Sequence, residues 1–297
     1  MNARFNLPDF VINEQTYGAF VDLTKEFPEV LLPNTEISAI FGIFPGAIWN
    51  GGGINTGGNL PREEMERIID FYNFKLHLPL RFTFTNLLIE DKHLDDTYCN
   101  IIAEIGNNGH NQILVANPRL ENYLRKHYKN YKYCRSIVGA RDIPYQLHGN
   151  LGDYYLSVMQ RRMNNNWEFL DKIPEIDRPQ IEFLCTDPCP DNCPRLYTHY
   201  RDFARCQLEG RAGSPEAQCS MTEVKGPFPM HYLQTSLETY ISRDMINNEY
   251  LPRGYQEFKC SGRNSIASGI KNLLVYCVKP EYEMDMYYDL LAANGIN

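Results

Sequence analysis

The sequence ISAIFGIF, residues 37–44, is a short apolar run of the kind that forms a buried strand of a parallel sheet. A glycine-rich turn follows at residues 49–58, and apolar residues then recur at helical spacing after Pro61. The next apolar run, residues 80–85, again has the length and composition of a strand. This order of strand, helix and strand is typical of a βαβ unit in a parallel sheet.

The same alternation continues along the rest of the chain. We predict eight strands, at residues 37–44, 80–85, 112–116, 133–138, 154–159, 180–185, 239–242 and 257–260. Eight strands with mostly helical connections favour an α/β fold, a single TIM-like (β/α)8 barrel over residues 1–297. A doubly wound open sheet is the alternative. Residues 209–228 contain glycine, proline and serine without periodicity, so we predict an insertion loop there, after strand six.

Composition and charge exclude several classes of protein. With 43% hydrophobic and 22% charged residues among 297, the chain can bury a core and is not globally disordered. Its net charge of −8 argues against strong nonspecific nucleic-acid binding, which needs a basic surface. The longest apolar stretch, residues 37–49, contains Pro45 and is shorter than the roughly twenty residues of a membrane-spanning helix. Residues 1–10 lack the apolar core of a signal peptide, so we expect a cytoplasmic protein without membrane contacts.

The predicted strands alone indicate where a functional site would lie. In barrels of this type the chemistry takes place at the carboxyl ends of the strands. The residues that follow the predicted strands include Asn86, Asn117, Arg161, Cys185, Arg243 and Arg263. Among them we predict that the two asparagines, Arg161 and Arg263 contact substrate, because amides and guanidinium groups bind polar ligands. Asn117 has an alternative role as the cap of a helix that begins at Pro118.

The segment LCTDPCPDNCP, residues 184–194, contains three cysteines at four-residue spacing. Its three prolines restrict the loop, so Cys185, Cys189 and Cys193 are expected to stay close together. Thiolates are soft ligands that bind zinc or iron–sulfur clusters. The segment therefore predicts a metal centre that begins where the sixth predicted strand ends.

A complete cysteine site needs a fourth ligand. Cys219 lies in the predicted insertion loop, which can return it to the other three cysteines. Cys206 lies on a predicted helix, roughly 20 Å along the axis from Cys193. We therefore prefer Cys219, with Cys206 and Cys260 as alternatives. Zinc sites usually combine two cysteine pairs, and the sequence has no second pair, so we expect an iron–sulfur cluster of the 4Fe–4S type, with zinc as the alternative.

Two segments are similar to a known family. The sequence YLPRGYQEFKCSGR, residues 250–263, resembles the G-x-x-x-F-K-I-x-G-R signature of the collagenase-like peptidase family of unknown catalytic type, with Cys260 in place of an aliphatic residue. The segment around Glu182 and the three clustered cysteines resembles the cysteine-bearing region of that family. The resemblance covers roughly residues 180–280, and residues 1–179 match only in the order of their strands.

That resemblance implies a TIM-like barrel with an iron–sulfur cluster held by four cysteines. Relatives in the family include the oxygen-independent hydroxylation proteins of ubiquinone synthesis and enzymes that hydroxylate transfer and ribosomal RNA. The implied activity is oxygen-independent hydroxylation of a small molecule or an RNA base, with a partner protein as a further expectation. A peptidase is one alternative. A noncatalytic binding protein stabilised by its metal is the other, and the compressed cysteine spacing of this chain departs from the larger relatives.

The eighth predicted strand also has a physical interpretation. Side chains alternate along a strand, so Glu257 and Lys259 point to one face and Phe258 and Cys260 to the other. A buried lysine needs a carboxylate partner, or its pKa falls. We predict that Lys259 contacts substrate together with Arg263, whose guanidinium suits a carboxylate or phosphate; a salt bridge that closes the barrel is the alternative for Arg263. The sequence assigns no catalytic residue.

Overall fold

The strands of the protein close into a barrel. A computed structural model describes residues 1–53, 55–139, 151–187, 196–212, 238–263 and 265–296. Within these residues, eight parallel strands follow one another around the sheet in chain order, and the first pairs with the last. The predicted TIM-like (β/α)8 fold is confirmed, and the open-sheet alternative is excluded.

Each strand is short. The strands are β1 (Ala3–Pro8), β2 (Thr35–Gly42), β3 (Leu80–Phe84), β4 (Gln112–Val115), β5 (Lys132–Arg135), β6 (Leu156–Val158), β7 (Ile181–Leu184) and β8 (Glu257–Lys259). Neighbouring strands are parallel throughout, so all of their carboxyl ends lie at one end of the barrel, which we call the mouth.

The helices surround the barrel. They are α1 (Glu14–Glu26), α2 (Arg62–Asp70), α3 (Thr97–Ile105), α4 (Pro118–His127), α5 (Trp167–Leu170), α6 (Leu196–Leu208), α7 (Arg243–Met245), α8 (Ile266–Cys277) and α9 (Glu283–Ala293). Asp96 caps α3 by accepting a hydrogen bond from the backbone N–H of Cys99. None of the helices in the described part of the chain combines the length and the hydropathy that crossing a membrane requires.

The first strand of the barrel departs from the prediction. β1 contains no apolar run; Arg4 and Asn6 alternate with Phe5 and Leu7. Phe5 and Leu7 belong to the large apolar core, whereas Arg4 and Asn6 form hydrogen bonds with charged groups inside the barrel. A strand with a polar inner face has a period of two residues, and a search for apolar runs overlooks it.

The predicted strand at residues 239–242 is wrong. The backbone N–H of Ile241 donates to the carbonyl of Cys185, but no strand forms there. Ser242 instead caps α7, because its hydroxyl accepts a hydrogen bond from the N–H of Met245. The predicted number of strands is right because the omission of β1 offsets this error.

The two faces of the sheet differ in chemistry. The outward face packs in a large apolar core that includes Phe82, Phe183 and Phe258. The inward face has a small apolar cluster on one side of the barrel, made of Leu114, Cys134, Ile137, Leu156, Val158 and Leu184. Inward positions of β1, β3, β7 and β8 carry polar and charged side chains instead. The candidate site lies among them.

The predicted insertion loop falls mostly outside the described residues. α6 ends at Leu208, as the sequence indicates, and the description stops at residue 212 and resumes at 238. The loop over residues 209–228 and the single-domain organisation stay predictions.

Candidate functional site

A buried ion pair crosses the interior of the barrel. Nη1 of Arg81 on β3 donates to Oε1 of Glu182 on β7 at 2.5 Å, and neither side chain is accessible to solvent. The other guanidinium nitrogens are also engaged: Nε donates to Oε1 of Gln112 at 2.7 Å and Nη2 to Oδ1 of Asn6 at 3.0 Å. One arginine thereby connects β1, β3, β4 and β7.

A second carboxylate, that of Glu257 on β8, extends this charged layer towards β1. Nη1 of Arg4 donates to its Oε1 at 2.6 Å, and Nδ2 of Asn6 donates to its Oε2 at 3.1 Å. Burial raises the pKa of Glu257, and the cations of Arg4 and Arg81 oppose that rise. Each carboxylate oxygen of Glu257 has a partner, as expected of a network that stabilises the fold.

Two other groups of the interior lack such partners. Oε2 of Glu182 is buried and accepts no hydrogen bond from the described residues. The side chain of Lys259 is largely buried, and its ammonium donates no hydrogen bond to them; Nζ lies 4.0 Å from the centroid of the Phe41 ring. Burial lowers the pKa of Lys259 to about 8, the Glu182 carboxylate opposes this shift, and Arg81 and Arg263 add to it. The pKa change agrees with the sequence prediction for a buried lysine.

Lys259 reaches towards the mouth. It is in register with Asn6 on β1, whereas Phe41 is in register with Pro8, two residues further along the same strand. At about 3.3 Å per residue, the ammonium of Lys259 therefore lies roughly one layer of side chains closer to the mouth than its own Cα atom. The aromatic face attracts the ammonium without neutralising its charge.

Arg263 lies in the turn after β8. Nη1 donates to Oδ1 of Asn50 at 3.2 Å and to Oγ1 of Thr83 at 3.4 Å, and Nη2 donates to the carbonyl of Gly51 at 3.3 Å. All three acceptors are uncharged, and no carboxylate oxygen of the described residues lies within 4.0 Å of the guanidinium. Burial lowers the pKa of Arg263, and Asp9 opposes this from beyond ion-pair distance. Within the described residues, the alternative of a barrel-closing salt bridge therefore finds no support.

The glycine-rich turn after β2 leaves room for this guanidinium. A Cβ atom on Gly53 would lie 2.4 Å from Nη2 of Arg263. Gly52 has a φ of +71°, in the left-handed region that favours glycine. The turn therefore encloses Arg263 closely.

The two asparagines predicted to contact substrate are engaged by backbone groups. Nδ2 of Asn86 donates to the carbonyls of Ile48 at 2.8 Å and Ala204 at 3.0 Å. Oδ1 of Asn117 accepts hydrogen bonds from two N–H groups in the first turn of α4, so the capping alternative describes its observed role. Both amides hold loops in place near the mouth.

The arginines that follow other predicted strands have different surroundings. Arg161, after β6, is buried with Nη1 3.3 Å from Oδ2 of Asp187. Arg243 donates to the carbonyl of Val278 at 3.0 Å and lines a cavity of about 440 Å³ that also contacts Thr35, the first residue of β2. Arg243 thus lies towards the amino ends of the strands, because residues 239–242 are not a strand that ends at the mouth.

Cys185 follows β7, but its sulfur points away from the barrel interior. It is fully buried in the outward-facing core, and its Sγ lies 3.2 Å from the carbonyl oxygen of Lys259 and 3.7 Å from Sγ of Cys260. Burial raises the pKa of Cys260 well above its usual value, and the contact with Cys185 adds to the rise. The two sulfurs are within hydrogen-bond distance, and either thiol could donate to the other.

Of the four predicted ligands, the described residues include Cys185. Cys189, Cys193 and Cys219 lie outside the described residues, and Cys206 is buried on α6. Over the ranges that the structure describes, no group of three or more His, Cys, Asp or Glu side chains could hold a metal ion. The four-cysteine site stays a prediction, and the structure bears only on the orientation of Cys185.

Sequence reasoning missed Arg81, which organises the interior. The signal is present in β3, LRFTF, where Arg81 and Thr83 alternate with apolar residues. An apolar run predicts a strand, and the polar residues within it indicate which face is turned to a polar interior.

The comparisons with known proteins concern mainly the fold. No protein-family model and no curated protein matches the sequence. A solved structure, that of the U32 peptidase Mk0906, is similar with a TM-score of 0.54 and 14% sequence identity, over 88% of this chain and 93% of that chain. The likeness agrees with the barrel that the family resemblance implies. By its strand order and its closure the chain is a (β/α)8 barrel, and its likeness to the structure of the U32 peptidase Mk0906 agrees with that fold.

Proposed function

We propose that the protein is an enzyme whose reaction takes place at the mouth of the barrel. The observation that supports this is Oε2 of Glu182, which is buried and has no hydrogen-bond partner among the described residues. The ammonium of Lys259, which lies against the Phe41 ring, is a second polar group of the same interior that donates no hydrogen bond to those residues. Buried polar groups that serve only the fold are nearly always hydrogen-bonded, and leaving one unpaired lowers stability. A protein is expected to retain such a destabilising unpaired group where a bound substrate supplies the missing hydrogen bond.

The proposed reaction is oxygen-independent hydroxylation of a small molecule or an RNA base. It rests on the resemblance of residues 180–280 to the collagenase-like peptidase family. An iron–sulfur cluster would supply electron transfer when bound. The ligands proposed for it are Cys185, Cys189, Cys193 and Cys219. The thiol of Cys185 suits such a cluster chemically, but it faces the helices, so binding and orienting the substrate fall to Lys259, Glu182 and Arg263.

Proteolysis is the second candidate function. It is favoured by the likeness to the U32 peptidase Mk0906. Its expected sign is cleavage of a protein substrate by purified wild-type protein, with the activity surviving repeated purification. A noncatalytic binding protein would show neither product.

The test compares host cells that express the wild-type protein, Glu182→Gln, Lys259→Met or the control Glu168→Gln. Glu168 is an exposed residue whose carboxylate pairs with Lys172, far from the interior network. Small molecules and RNA nucleosides from cells grown without oxygen are profiled by mass spectrometry for products that gain one oxygen atom. We expect the product with wild-type protein and Glu168→Gln, and its loss with the two interior variants. Equal product from Glu182→Gln, or none from the wild type, would contradict the proposal.

A further inference from the structure

Two cationic side chains, those of Arg263 and Lys259, lie near the mouth, and neither forms an ion pair with a carboxylate of the described residues. Among the described residues, Arg263 donates to the neutral oxygens of Asn50, Thr83 and Gly51. The ammonium of Lys259 lies against the Phe41 ring and donates no hydrogen bond to those residues. Both side chains reach the same part of β2 and β3. The Thr83 hydroxyl that accepts from Arg263 also donates to the carbonyl of Gly42, the residue after Phe41, whose ring contacts the ammonium of Lys259. Two cations in a largely buried setting favour an anion that binds between them.

No acidic group of the described residues forms an ion pair with either cation, although Oε2 of Glu182 has no hydrogen-bond partner among them. Glu182 forms its ion pair with Arg81, and both oxygens of Glu257 accept hydrogen bonds from Arg4 and Asn6. Asp9 accepts from backbone N–H groups at the start of the loop after β1 and lies beyond ion-pair distance of Arg263. Within the described residues, no carboxylate lies within 4.0 Å of either cation.

We infer that the mouth binds an anionic group, the carboxylate or phosphate of a small ligand, between the side chains of Lys259 and Arg263. The guanidinium offers N–H donors in a fork that matches two oxygens, and the ammonium is a point charge that accepts either geometry. Thr83 and Asn50 fix the guanidinium, and the close turn at Gly53 keeps it in place. This inference rests on the proposed function for the location of the site and extends it to the class of substrate.

The test measures binding of two probes, inorganic phosphate and succinate, by isothermal titration calorimetry at neutral pH and constant ionic strength. Succinate represents a carboxylate ligand and phosphate a phosphorylated one, so the stronger probe identifies the chemistry. A titration with sodium chloride at the same ionic strength is the control for heat that comes from nonspecific electrostatic effects. We expect wild-type protein to bind at least one probe in a single-site isotherm.

Three variants locate the binding. Arg263→Met removes the guanidinium and is expected to weaken the preferred probe by on the order of tenfold or more, because a charge-assisted hydrogen bond is worth about that factor. Gly53→Ala keeps every charge but places a methyl group against Nη2, so it is expected to weaken binding without removing the arginine. Arg62→Met, at an exposed arginine on α2, is expected to bind like the wild type.

Binding of neither probe by wild-type protein would overturn the inference, as would equal affinities in wild type, Arg263→Met and Gly53→Ala. If Arg263→Met does not fold, Gly53→Ala decides. The two ideas can fail separately. Anion binding without any oxygenated product would contradict the proposed reaction, whereas product formation that neither probe inhibits would contradict the anion site.

Discussion

Arg81 on β3 and Glu182 on β7 form an ion pair across the closed barrel, with Nη1 and Oε1 2.5 Å apart. Neither side chain is exposed. Because Oε2 of Glu182 has no partner among the described residues, the arginine is the main compensation for the buried carboxylate. The pair therefore connects the stability of the barrel with a residue that we place in the candidate site.

Arg81→Met is expected to lower the free energy of unfolding by about 3–5 kcal/mol, because it leaves the carboxylate of Glu182 buried without its cation. Urea unfolding measures the change. The control Arg62→Met removes an exposed ion pair with Glu66 and should cost less than about 1 kcal/mol. The double variant Arg81→Met/Glu182→Leu should recover most of the loss. Equal effects of Arg81→Met and Arg62→Met would show that the pair adds no more than a surface contact.

Lys259→Met, in contrast, is expected to stabilise the protein. The buried ammonium has no hydrogen-bond acceptor among the described residues, so its removal is expected to raise the free energy of unfolding by about 1–3 kcal/mol. Lys172→Met, at an exposed lysine on the outer surface, should change it by less than about 0.5 kcal/mol. A destabilised Lys259→Met protein would indicate that the lysine serves the fold.

The barrel could be predicted from the sequence because most of its strands are apolar runs separated by helices with clear start signals. The interior could not, because it depends on contacts between distant positions: Arg81 and Glu182 are 101 residues apart. β1 was not predicted because its inward residues are polar, and their partners become clear only once β8 lies beside β1 in the barrel.

The rule that site residues follow the strands succeeded in part. It predicts the location of Arg263, and the alternation of β8 correctly separates Lys259 from Cys260. The rule specifies where the backbone lies but not where a side chain points. Cys185 therefore ends at the outer face and Asn117 caps a helix, although both follow strands that lead to the mouth.

Gly51→Ala tests the packing of the turn that encloses Arg263. A Cβ atom on Gly51 would lie 2.4 Å from the carbonyl oxygen of Thr85, a backbone atom that cannot move aside without disturbing the end of β3. We expect the free energy of unfolding to fall by about 1–3 kcal/mol. Gly58→Ala is the matched control in the same turn, since a Cβ there meets nothing within 4 Å. A similar effect for both variants would show that the turn adapts.

Alkaline pH should destabilise the protein through buried tyrosines. Burial raises the pKa of Tyr17, Tyr72 and Tyr131 well above the usual value, and each hydroxyl donates to a backbone carbonyl. The folded state keeps protons that the unfolded state releases near pH 10, so their stabilising contribution is fully present below about pH 10 and is lost as pH rises further.

Urea unfolding at a series of pH values between about 8 and 11 measures this loss. Tyr17→Phe should show a shallower decline than the wild type, although it also loses the hydrogen bond to Pro8. Tyr288→Phe, at an exposed position on α9, should leave the slope unchanged. A steeper or unaltered slope in Tyr17→Phe would contradict the assignment.

The iron content of the protein tests the predicted cysteine site. Protein purified without oxygen is expected to contain iron and acid-labile sulfide, and Cys189→Ser is expected to lose most of both, because a serine hydroxyl is a poor substitute for a soft thiolate. Cys99→Ser is the matched control, since that thiol is buried at the first turn of α3 and is not among the predicted ligands. Iron and sulfide per chain are measured for each protein. An unchanged iron content in Cys189→Ser would remove that residue from the ligand set.

The fourth ligand is decided by comparing Cys219→Ser with Cys260→Ser. The sequence favours Cys219, whereas Cys260 already lies beside the sulfur of Cys185 at 3.7 Å. Loss of iron from Cys219→Ser, with iron retained in Cys260→Ser, would support the predicted set. The reverse result would make Cys260 the ligand, and the metal would then lie on the helix-facing side of β7 and β8.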